Sequence, residues 1–96
     1  MSLQRRTLQE TQTSKAVSEV LSAATEFFAS RNSIYSAFVE QQSATHVTMR
    51  GQGGEEIVIA ASPLPNGSRV TGASYMFDAQ ISRFFSTLPP LTEVAA

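Results

Sequence analysis

The stretch Thr45-His46-Val47-Thr48-Met49-Arg50-Gly51-Gln52-Gly53-Gly54-Glu55-Glu56-Ile57-Val58-Ile59-Ala60-Ala61-Ser62 decides the fold. Its first part alternates, with Val47 and Met49 on one side and His46, Thr48 and Arg50 on the other. Its last part alternates again, Ile57, Ile59 and Ala61 against Val58 and Ala60. A period of two marks a β-strand with unlike faces. The glycine-rich run 51–54 supplies turn chemistry, so the two strands read as an antiparallel hairpin. Side chains directly opposite one another share a face. Pairing Met49 with Ile57 and Val47 with Ile59 therefore gathers the large apolar groups on one side. The same register sets Arg50 opposite Glu56, Thr48 opposite Val58 and His46 opposite Ala60 on the other side.

Outward from the hairpin, 63–67 reads as a second turn and 69–77 as a long strand with Gly72 in its middle. Residues 34–41 are rich in β-formers, and 3–11 read as a first strand. Two helices flank this β region. The first spans 15–30, where Val17, Val20, Leu21, Ala24, Phe27 and Phe28 fall on one face, with Thr13 or Ser14 as its cap. Arg31 suits its C-terminal end, and Asn32-Ser33 turns the chain. The second spans 79–88, with Asp78 as N-cap, the stripe Ile81, Phe84, Phe85 and Leu88, and Pro89-Pro90 as its stop. The order is β-α-β-β-β-β-α. Hairpin connections make the last four strands a meander, and both helices cover its one apolar face. The expected fold is α+β, a two-layer sandwich: a five-stranded antiparallel sheet in the order 1-5-4-3-2 with two helices on one face. Val17, Val20, Leu21, Ala24, Phe28, Ile57, Ile59, Val70, Ile81, Phe84 and Leu88 are expected to form one core.

The chain has 96 residues, which suits a single domain, with an ordered core over about 3–90 and a flexible tail over 91–96. It carries 7 Lys and Arg against 8 Asp and Glu, so nucleic acid held by charge is not an expected partner. With 42 % hydrophobic and 16 % charged residues it is a folding composition. No cysteine is present and there is one histidine, so disulfides, thiolate chemistry and Cys- or His-pair metal sites are excluded. No apolar run of membrane or signal type stands out, and the expected location is the cytoplasm, with no membrane partner. Asn66-Gly67-Ser68 matches a glycosylation sequon and reads as a turn.

The motifs that invite chemistry have plainer readings. The glycine run 51–54 leads into a strand, not a helix, and is followed by two glutamates, so it is a hairpin loop and not a phosphate cradle. His46 is the one side chain with an ordinary pKa near neutrality, but no signature spacing surrounds it with a nucleophile and an acid. No catalytic residue, metal ligand or cofactor is expected, and enzymatic activity is not assigned. The informative feature is the sheet face away from the helices. If Val70, Gly72 and Met76 point to the core, that face carries His46, Thr48, Arg50, Glu56, Val58, Ala60, Thr71, Ala73, Tyr75 and Phe77. Its centre is apolar, whereas a solvated face normally carries Lys, Glu and Thr. Such a patch marks a contact surface. The interface expected from it comprises His46, Thr48, Arg50, Glu56, Val58, Ala60, Thr71, Ala73 and Tyr75.

The element order resembles the TATA-binding-protein-like half domain, β-α-β4-α. The runs 14–20 and 65–70, and the passage from Phe77 into a closing helix, are similar to the START-like, or helix-grip, superfamily of ligand-binding and cyclase-type proteins. That second resemblance implies a small apolar ligand as the alternative function. Its members are longer and carry a long final helix, here reduced to about ten residues, roughly 15 Å. The expected function is a non-enzymatic interaction module, a homodimer or partner of another protein through the outer sheet face.

Overall fold

The hairpin register is the one the alternation implies: His46 pairs with Ala60, Val47 with Ile59, Thr48 with Val58, Met49 with Ile57 and Arg50 with Glu56. The computed structural model describes residues 7–30, 36–74 and 77–91. Its elements are β1 (Thr7–Thr13), α1 (Val17–Ala29), β2 (Ala37–Gln42), β3 (His46–Gly51), β4 (Glu56–Leu64), β5 (Gly67–Ser74) and α2 (Asp78–Thr87). The five strands form one antiparallel sheet in the order β1-β5-β4-β3-β2. The fold is α+β, as expected.

The core lies between the sheet and the helices. Val20, Ala24 and Phe28 of α1 and Ile81 and Phe84 of α2 meet Met49, Ile57, Ile59 and Val70 of the sheet, all inaccessible to solvent. Val17, Leu21, Phe27 and Phe85 pack at the margin of this cluster. Phe27, Phe28 and Phe84 form a ring cluster with centroids 5.1 to 6.0 Å apart. Gly72 faces the same layer. A methyl group there would come within 2.8 Å of Ile81 Cγ2 and 3.2 Å of Phe85 Cζ, so its bare backbone lets α2 settle on β5.

Element ends differ from the periodicity in ways that have local causes. The N-cap of α1 is Ala16, not Thr13 or Ser14, and the helix is shorter than 15–30 at both ends. Thr13 is diverted: its Oγ1 donates to Pro89 O (2.6 Å) and accepts the Lys15 N–H (3.3 Å). Glu19 reaches back from the first turn to accept the Ala16 N–H (2.9 Å). Ser68 Oγ donates to Lys15 O (2.7 Å), fastening this link to the sheet. Arg31, Asn32 and Ser33 lie outside the described residues, as do Ile34 and Tyr35 of the expected second strand.

β4 runs two residues further than expected and takes in Pro63, leaving Pro65-Asn66 as the turn. The Ala61 N–H donates to Thr45 O, on the β3 side. The N of Pro63, two residues on, faces that same side, where β3 has already ended, so no ladder bond is lost. β1 runs on to Thr13, two residues past the expected 3–11, of which 3–6 lie outside the described residues, and β2 carries a bulge between Val39 and Gln41.

The largest correction concerns the end of β5. The described strand runs to Ser74 and does not include Phe77, whose N–H donates to Ser74 Oγ (3.1 Å). Phe77 is the N-cap of α2, with the N–H groups of Gln80 and Ile81 donating to its carbonyl. Phe77 is therefore a core residue, 4 % exposed, and not part of the outer face. Asp78 occupies the first helical position instead of the cap, and its buried Oδ1 takes no hydrogen bond. Tyr75 and Met76 lie outside the described residues, and so does most of the expected tail; within it, Leu91 is half-buried and follows Pro90, which bridges Thr13.

Candidate functional site

The open face of the sheet can be built row by row from the register. One row crosses all five strands: Leu8, Ala73, Val58, Thr48 and Gln41. The next row holds Glu10, Thr71, Ala60 and His46. On the other side of the first row stand Glu56, Arg50 and Phe38. The expected interface residues His46, Thr48, Arg50, Glu56, Val58, Ala60, Thr71 and Ala73 thus share one face. Thr48 is nearly flush with it, at 8 % exposure between Val58 and Gln41.

Two large apolar residues of this face escaped the sequence reading, as did the polar Glu10 and Gln41. Leu8 is 68 % exposed and Phe38 56 % exposed, on strands at opposite edges of the sheet. The signal for each was the register. Leu8 is opposite Ala73, and Phe38 is opposite Arg50, so each inherits the face of its partner. Both edge strands lacked a clean alternation, and neither could be assigned a face from its own residues.

Charges stand at the rim in mixed sign. Arg50 Nη2 donates to Glu40 Oε1 (2.7 Å) and lies 3.8 Å from Glu56 Oε2, while its Nη1 donates to Gly54 O (3.0 Å). The expected Arg50–Glu56 pair is therefore the longer of two contacts. The bulge in β2 lies between Val39 and Gln41, at Glu40, the better partner. The hydrogen bond to Glu40, and then its charge, hold the Arg50 guanidinium above its ordinary pKa. Across the sheet, Arg69 Nε lies 3.4 Å from Glu10 Oε2.

The face is not flat. A depression of about 430 Å³ is lined by His46, Val58, Ala60, Ser62, Arg69 and Thr71. It exists because β3 begins at His46 while β4 continues to Leu64, and because Ala60 gives it a low floor. His46 is held at its edge. Ser43 Oγ accepts the N–H groups of Thr45 and His46 (both 3.2 Å) and lies 2.7 Å from His46 Nδ1. With both lone pairs taken, the hydroxyl hydrogen is directed to Nδ1, which leaves the neutral imidazole protonated at Nε2. No carboxylate is among the hydrogen-bond partners of His46 among the described residues, so the pair locks a turn rather than forming a triad.

Elsewhere, an open groove of about 680 Å³ runs between the start of α1 and the β4–β5 hairpin, past Val17, Ala44, Pro63 and Leu64. Among the described residues, no group of three or more His, Cys, Asp or Glu side chains is placed to hold a metal ion. No described helix is long and apolar enough to cross a membrane. Compared with known proteins, the chain matches no family model, no curated protein and no solved structure.

Proposed function

We propose that the open sheet face is the contact surface of a homodimer, and that the protein is a non-enzymatic interaction module acting as a pair. The observation that carries this reading is the exposure of Leu8 and Phe38 on the same face as Val58, Ala60 and Ala73. Exposed apolar surface of this kind on a small domain marks a site of association. A self-complementary patch is most simply satisfied by a two-fold. Each rim carries both signs of charge, Arg50 with Glu40 and Arg69 with Glu10, so two copies meet without a net repulsion. Five strands spaced about 4.8 Å apart, about six residues long, project roughly 500 Å². A stable interface buries about 800 Å² per partner, so the expected dimer is a weak one. Sedimentation velocity over a concentration series tests it. Ala60→Arg should turn the dimer into a folded monomer, and a wild type that stays monomeric at millimolar concentration rejects the reading.

The alternative is a small apolar-ligand-binding protein of START-like type. The groove beside Val17 and Leu64 favours it. An internal cavity does not, since Phe28, Met49, Ile57, Ile59 and Phe84 have no accessible surface left between helices and sheet. In that case the wild type is a monomer, and its melting temperature rises with added fatty acid. For either reading the cytoplasm is the proposed site of action, to be checked by cell fractionation.

A further inference from the structure

Among the described residues, the open face carries an open depression and one exposed phenyl ring, and both belong to the same chain. Val58, Ala60 and Thr71 line the depression, with His46, Ser62 and Arg69 as its polar edge. The ring is Phe38. They are well separated. Phe38 is two strands from β4, at the level of Glu56, and Ala60 lies four residues further along that strand. Strand spacing and rise put the two roughly 16 Å apart. A phenyl ring on β2 therefore cannot fill the depression of its own chain.

We infer that Phe38 of one copy seats in the Ala60 depression of a second copy, and that the contact is made twice. This rests on the homodimer reading above and names its anchor. An isologous contact needs a projection and a recess at different places on one surface, so that each copy gives one and receives one. The two-fold then lies in the plane of the interface and passes midway between Phe38 and Ala60. The register places that midpoint at Thr48, one strand from each and two residues along. Thr48 is short and nearly flush with the face, so it does not hold the copies apart at that point.

Size supports the same pairing. An apolar cavity of about 150 Å³ is enough to hold a benzene ring. A depression of about 430 Å³ takes the ring together with the rim side chains that close over it. Aromatic side chains seated in a pocket are the residues that dominate weak and strong interfaces alike, because they bury a large rigid surface at little entropic cost. Leu8 is the other projecting apolar side chain, but it is smaller and has Glu10 and Gln12 as its neighbours on that side of β1.

The test uses four samples in sedimentation velocity: wild type, Phe38→Ala, Ala60→Phe and an equimolar mixture of the two variants. Both positions lie outside the core, and circular dichroism melts establish that each variant is folded. Each variant alone should raise the dissociation constant about 30-fold or more. The mixture should recover association. In the mixed pair one contact is unchanged, and in the other the ring added at position 60 fills the space left by the truncated residue 38. Single variants that dissociate without recovery on mixing overturn the Phe38–Ala60 pairing while leaving the face as an interface. So does a Leu8→Ala variant that dissociates while Phe38→Ala does not. A wild type that never associates rejects the homodimer itself.

Discussion

Gly67 shows how little room a single position can leave. A methyl group there would fall onto the carbonyl oxygen of Thr13, 2.8 Å from Ser14 Cα and 2.9 Å from Leu91 Cδ1. Two of these obstacles are backbone, tied down by Thr13 to Pro89 and by Ser68 to Lys15, so they cannot turn aside. Gly72 is crowded differently. The atoms a methyl would meet there all belong to side chains, the branch methyl Cγ2 of Ile81 at 2.8 Å and the ends of Ile59 and Phe85 at 3.2 Å. Side chains shift by a few tenths of an ångström where backbone does not. Gly67→Ala should therefore cost about 3 kcal/mol and Gly72→Ala about 1 kcal/mol, within the usual range for overpacking. Urea unfolding of the two variants measures the order, and a larger loss at Gly72 would show that α2, not the β1–α1 link, is the rigid part.

At the scale of elements, the passage from β5 to α2 separates two readings of one residue. Alternation carried to 77 would put Phe77 on the open face, where truncation to alanine costs almost nothing. In the structure its ring is buried, reaching toward Gly51, where an added methyl would lie 3.2 Å from Phe77 Cζ. Phe77→Ala should cost about 3–4 kcal/mol by thermal or chemical denaturation, and a variant as stable as wild type would restore the strand reading. The contrast explains what was legible. The β3–β4 register followed from the residues, because a short loop fixes the pairing and two faces of opposite character fix the phase. The order of the last four strands followed from hairpin connections. The place of Phe77 did not, because an aromatic residue continues the β pattern while what turns it out of the strand is one hydroxyl, Ser74 Oγ taking the Phe77 N–H. The α1 cap was hidden in the same way. Thr13 has the right chemistry for a cap, and a partner 76 residues away, Pro89, takes its hydroxyl. For the candidate surface, the central strands were legible, but Leu8 and Phe38 on the edges needed partners to assign them a face.

The whole molecule joins these facts through stability. A domain of 96 residues buries only about 60–65 % of the surface its unfolded chain exposes, so its margin is of the order of 5–10 kcal/mol. Among the described residues the core is one layer between sheet and helices, and the opposite sheet face gains further burial only if something covers it. Association through that face is then linked to folding by mass action. For a two-fold dimer that unfolds to separate chains, each tenfold rise in concentration above the dissociation constant adds about 1.4 kcal/mol per dimer, or about 0.7 kcal/mol per chain. In a chain this size that raises the melting temperature by about 3–5 °C. The wild type should show that dependence in calorimetry across two decades of concentration, and Ala60→Arg should abolish it while retaining the lower, concentration-independent melting temperature. A slope surviving in Ala60→Arg would move the contact off the open face. A wild-type slope of zero would mean the face is covered by something other than a second copy.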